Sequence, residues 1–218
     1  QGLVSANNWF CVGTCNEPTP TATPTAVGTP TSLDYGMCVT SAEDQILEMI
    51  RNAGFGWVLH YVSWARSEPV RGHYDWSWID DAVRESEAHG LKTILRIDRP
   101  PAWANGGIST APPTDPDDLG DFVYALVNHF GNGVAACQIW NEPNLALEWG
   151  NRPPNATRYV DLLRIAYVRA KQDNPHVIIV SAGLATTNDR SGTALDDRIY
   201  LQEMYNAGAK HYFDVLGA

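Results

Sequence analysis

The run QIWNEPN at residues 138–144 holds the side chain best placed to do chemistry in this 218-residue chain, Glu142. A carboxylic acid gives and takes a proton near neutral pH when apolar neighbours or a second carboxylate raise its pKa. Trp140, Pro143 and Trp149 are such apolar neighbours in sequence. The amide of Asn141 can donate to a hydroxyl, and Pro143 ends the preceding apolar run and stiffens the turn. Other polar groups close other apolar runs: His60, Tyr61 and Trp64 after one, Arg96 and Asp98 after another. Arg96 buried beside a catalytic carboxylate would hold it ionised, although an ion pair with Asp98 or Glu68 fits nearly as well. His60 and Tyr61 are adjacent on one strand, so at most one of them can point the same way as a site residue. Glu148 reads as a solvated residue at a helix start. His89, His129, His176 and His211 lack metal-ligand spacing, and acid/base chemistry requires no metal or organic cofactor.

The elements that must position these groups alternate in type. Strand-length apolar runs lie at 35–39, 56–62, 92–97, 136–140, 177–183 and 213–218. Between them run amphipathic stretches of helical period at 43–54, 76–90, 115–131, 155–172 and 194–208. Thr40 or Ser41, Asp75, Asp115 and Asn155 stand where N-caps belong, and Gly54, Gly90 and Gly208 where helices should stop. Serial strand–helix–strand units imply a parallel sheet, either doubly wound or closed as a (β/α)₈ TIM barrel. No Gly-rich phosphate turn follows any strand, and polar residues gather at the C-terminal ends of several strands. That is the rim where barrels place their sites, so a barrel is expected over residues 33–218.

Residues 18–32, PTPTATPTAVGTPTS, cannot bury a core and favour extended polyproline II, so they read as a semi-rigid linker. Residues 1–17 read as a tail or the end of a preceding module. Cys11 and Cys15 are close enough in sequence to pair under oxidising conditions, whereas Cys38 and Cys137 fall in apolar runs as buried thiols. Fifteen Lys and Arg against 25 Asp and Glu leave a formal charge of −10, which disfavours nucleic acid and anionic lipid as partners and leaves a neutral ligand open. The linker composition suggests an extracellular or cell-surface setting.

The Asn-Glu-Pro at 141–143 resembles the signature of the retaining barrel glycosidases of clan A, near families 39 and 5. WARSEPVRGHYDWSWID (64–80) and RPPAW (99–103) resemble the stretches after strands two and three of that family, and the likeness spans residues 35–218. The resemblance implies a carbohydrate substrate with β linkages, Glu142 as general acid and then base, and Asn141 holding the hydroxyl beside the anomeric centre. Trp64, Trp103 and Trp149 become candidate sugar platforms, since a pyranose offers an apolar CH face to an indole; core packing is the competing reading. Asn144, Arg96 and His60 join them as candidate binding residues.

A retaining mechanism also needs a carboxylate nucleophile about 5 Å from the acid. The resemblance puts it at the end of a seventh strand, whereas six runs are counted to Ala218. An incomplete barrel, truncated at its C-terminus and inactive alone, is therefore expected. The competing reading is a carbohydrate-binding barrel module that performs no chemistry.

Overall fold

The computed structural model describes residues 34–217. The expectations for the tail at 1–17, the linker at 18–32 and the Cys11/Cys15 pair lie outside the described residues. A five-stranded parallel sheet runs in the order β1 (Gly36–Val39), β2 (Trp57–Ser63), β3 (Lys92–Asp98), β4 (Ala136–Ile139) and β5 (Ile178–Val180). Strands adjacent in sequence are adjacent in space throughout, which is barrel winding; a doubly wound sheet would reverse direction partway. Helices α1 (Asp44–Asn52), α3 (Ser77–Ala88), α5 (Pro116–Phe130), α6 (Ala156–Asp173) and α7 (Asp197–Asn206) alternate with the strands. Two one-turn helices, α2 (Trp64–Ser67) and α4 (Ala102–Asn105), follow β2 and β3 directly. Among the described residues no helix is long and apolar enough to cross a membrane.

Strand register sorts the side chains into two faces. Gly36 pairs with Trp57 and Cys38 with Leu59; Leu59 pairs with Ile94, which pairs with Ala136, which pairs with Ile178. In a parallel sheet such partners point the same way. Trp57, Leu59, Ile94, Ala136 and Val180 accordingly form the cluster on the concave face. The alternate residues Val62, Leu95, Ile97, Cys137, Ile139 and Ile179 face out and join α3, α5, α6 and α7 in the largest core. Gly36 permits the close approach of β1 to β2, because a Cβ there would lie 3.0 Å from the Trp57 Cβ. Tyr159 of α6 ties the sheet to the helix layer: its hydroxyl donates to Ile139 O (3.0 Å) and accepts from Ala182 N (2.6 Å).

The sixth apolar run does not form a ladder. Val215 makes one parallel bridge to Val180, with the amides of Asp214 and Val215 donating to Ile179 O. Asp214 turns its carboxylate back to Ile179 N (2.8 Å) and Lys171 (2.8 Å). Asp115 and Asn155 cap their helices as expected, accepting from the amides of Asp117 and Arg158. The other two starts differ: Glu43 and Trp76 are the residues that precede α1 and α3, and neither makes a side-chain cap. Ser41 and Asp75 accept instead from amides two residues on, in local turns. Gly54, Gly90 and Gly208 all take positive φ after their helices. Cys38 and Cys137 are free thiols, the latter with its pKa pushed up to about 12 by burial.

Candidate active site

The concave face carries its polar groups at the C-terminal ends of the strands. Tyr61, Arg96 and Gln138 occupy one level and Ser63 and Asp98 the next, with Asn141 and Glu142 just past β4. Arg96 is the hub. Its guanidinium donates to Asn141 Oδ1 (2.9 Å), pairs with Asp98 (3.5 Å) and lies 4.1 Å from the Tyr61 ring centroid. Its Nε is buried with no acceptor among the described residues. Tyr61 also accepts from the Cys38 thiol (2.7 Å).

Glu142 is partly buried, and its amide donates to Gly183 O (3.1 Å) across to the segment after β5. Burial raises its pKa above the ordinary carboxylate range, and the negative charge of Glu148 raises it further. The Arg96 cation and a hydrogen bond from Asn141 act in the opposite direction without cancelling the rise. Asp98 is also raised, mainly by burial, against the pull of Arg96 and Arg99. A partly buried carboxyl biased toward its protonated form beside an anchored amide can deliver a proton and hold a hydroxyl.

The backbone here is unusual. Four non-glycine residues among those described have left-handed φ, and three of them end β3 or β4: Arg99 (55°), Trp140 (75°) and Glu142 (39°). Such conformations cost on the order of 1–3 kcal/mol each and concentrate at functional sites. They turn the chain so that Trp140 packs against Trp149 while Glu142 stays at the rim.

The structure brings Arg96, Asn141 and Glu142 together and places the other sequence-predicted residues elsewhere. His60 faces the helices, where it is 4 % exposed and its Nε2 meets Ser86 Oγ at 2.9 Å. Burial lowers its pKa to about 4, so it is a neutral core histidine, and Tyr61 takes the inward place. Trp64 is fully buried, stacked on Phe122, with its indole N–H donating to the Glu68 carboxylate (2.6 Å). Trp103 donates to Glu68 O (3.0 Å), meets Trp64 edge-on and carries Arg71 over its ring. Trp149 is 2 % exposed against Trp140 and Tyr159. Trp64 and Trp149 follow the packing reading, whereas Trp103 is half-buried. Asn144 is fully buried and clamps the segment after β5, donating to Ala185 O and Leu195 O and accepting from Ala185 N.

Glu148 differs most from expectation. Its side chain is only 13 % exposed and receives two bonds from Arg99 (3.0 and 3.3 Å). Reading by residue type finds neither this pair nor the inward role of Tyr61; strand parity would have identified the latter once His60 was assigned outward.

The sequence model of the family Glyco_hydro_42, beta-galactosidase, matches residues 39–115. A beta-galactosidase of Arthrobacter sp is 37 % identical over 60 residues, which are 26 % of this chain and 9 % of that protein. A second, of Xanthomonas manihotis, is 32 % identical over 120 residues, 44 % of this chain and 20 % of that protein. In fold, a family 39 glycoside hydrolase from Bacteroides cellulosilyticus WH2 superposes with a TM-score of 0.64 at 23 % identity, over 83 % of this chain and 36 % of that one. The chain thus spans a fifth or less of the curated relatives it matches. Strand order and the superposition on the family 39 enzyme show that the described residues form part of a (β/α)₈ barrel. The family match ends at residue 115, before Asn141 and Glu142, so the assignment of the site stands on its geometry.

Proposed function

We propose that this chain carries the acid/base side of a retaining glycosidase that hydrolyses β-linked glycosides outside the cell, with Glu142 as the proton donor. One observation carries the reading: a partly buried carboxyl at the C-terminal end of the fourth strand, biased toward its protonated form, beside an amide that Arg96 holds in place. Protonated Glu142 gives its proton to the leaving glycosidic oxygen as the C–O bond breaks. A carboxylate on the opposite face of the sugar takes the anomeric carbon; this reading assigns it to a Glu at the end of a seventh strand, outside residues 1–218. Glu142, now ionised, removes a proton from water as the water displaces that carboxylate, which gives net retention. Asn141 holds the hydroxyl next to the anomeric carbon. A net charge of −10 suits an uncharged substrate.

Both curated relatives are beta-galactosidases, so aryl β-galactosides are the first substrates to try, with aryl β-glucosides, aryl β-xylosides, β-glucan and xylan beside them. The intact protein is compared with Glu142→Gln. The expected result is loss of most turnover on poor leaving groups, with activated aryl glycosides still cleaved because they depart without a proton. Binding of glycans without cleavage, unchanged by Glu142→Gln, would overturn the reading in favour of a non-catalytic carbohydrate-binding barrel.

A further inference from the structure

We propose that Glu148, held by Arg99, is a positioning residue that keeps the proton on Glu142 until a substrate takes it; this rests on the reading of Glu142 as the acid. Residues 142–148 form a turn closed by three hydrogen bonds. Leu145 N donates to Glu142 O (2.9 Å), Glu148 N to Leu145 O (3.1 Å) and the Trp140 indole N–H to Glu148 O (2.9 Å). These bonds fold residues 142–148 back on themselves and return Glu148 to the end of the strand that presents Glu142. Its side chain is then withdrawn from solvent and gripped by both terminal nitrogens of Arg99. Arg99 reaches it from a left-handed backbone, and its own carbonyl accepts from Ala65 N (2.9 Å).

What the pair does follows from the groups around Glu142. Arg96, paired with Asp98, acts on it from β3, Asn141 from its own turn, and Glu148, held by Arg99, from the rim. Burial favours the proton on Glu142 and Arg96 draws on it. Glu148 supplies the opposing negative charge, and Arg99 moderates it while fixing its place. The balance therefore shifts in opposite directions when either member is neutralised.

The test is the pH profile of kcat/KM on an unactivated β-glycoside, measured on the intact protein. Glu148→Gln should move the basic limb to lower pH, and Arg99→Gln should move it to higher pH by leaving the Glu148 charge unopposed. Turnover of an activated aryl glycoside should change less than about threefold in both. A ¹³C-glutamate NMR titration, with the Glu142 resonance assigned from Glu142→Gln, should show the same two opposite shifts without turnover. Should Glu148→Gln fail to fold, the Arg99→Gln limb decides. Limbs that stay put, or move together, overturn the inference while leaving the acid assignment intact if Glu142→Gln behaves as expected. If Glu142→Gln leaves poor leaving groups turning over, both readings fall.

Discussion

Replacing Arg96 by Met tests whether the inner face of the barrel is organised around one cation. The side chains of Arg96 and Asp98 are 12 % and 8 % exposed, so solvent does little to compensate either charge. Removing one partner of a buried pair costs about 3–5 kcal/mol, because the remaining charge stays desolvated. The 3.5 Å separation argues for the lower end, and the lost contact with the Tyr61 ring adds about 0.5–2 kcal/mol. Met matches much of the apolar stem, so the expected loss is about 3 kcal/mol at neutral pH, or roughly 150-fold in the folding constant. Burial already raises the Asp98 pKa in the folded state, and without Arg96 it rises further. A raised folded pKa favours folding below the unfolded value of about 4 and loses that contribution as pH climbs through the folded value. The deficit of Arg96→Met should therefore be smallest near pH 4 and grow toward pH 7.5. Urea denaturation followed by tryptophan fluorescence reads it directly. The double variant Arg96→Met/Asp98→Asn should recover most of the loss, since a neutral pair leaves no stranded charge. A deficit under about 1 kcal/mol, no pH dependence, or a double variant no better than the single would refute the reasoning.

Three further outcomes follow from the packing. Gly150→Ala should cost about 2–4 kcal/mol, since φ is +70° and the new Cβ would lie 2.5 Å from the Ala111 Cβ, whereas Gly54→Ala, at φ +88° with nothing within 4 Å, should cost about 1 kcal/mol by denaturant melts. His60 has its folded pKa depressed to about 4, so it contributes stability above the unfolded value of about 6.5 that is lost as pH falls through that window. That loss is about 3 kcal/mol at most, and His60→Gln should flatten stability against pH between 7 and 4.5. Tyr159→Phe should cost about 1–3 kcal/mol and speed amide exchange at Ala182, because Ile139 O and Ala182 N both lose a buried partner.

The winding of the barrel was readable because it rests on composition at the scale of whole elements: β-branched and aromatic runs, amphipathic stretches between them, and glycines where helices end. The site was readable only where one strand carries it, as in the Asn-Glu-Pro that closes β4. Inside and outside were harder, because parity along a strand gives two answers and a distant contact chooses between them. His60 and Tyr61 look alike as site candidates until Ser86, 26 residues away on α3, claims the histidine. Trp64 and Trp149 are packed away for a related reason: an indole near a rim finds a core partner as easily as a ligand, and Phe122 supplies one for Trp64. Glu148 reads as solvated from local sequence because its partner lies 49 residues upstream and both depend on backbone turns that no local pattern announces. Arg99, Trp140 and Glu142 carry ordinary side chains at positions where local preference would place glycine or asparagine. Their strain is tolerated because the neighbouring strands over-determine it, through Ala65 N on Arg99 O, Trp140 N on Ile97 O and Glu142 N on Gly183 O. The chemistry of this rim is therefore a property of several strands held in register, and the residues that tune Glu142 become visible only once those strands are placed.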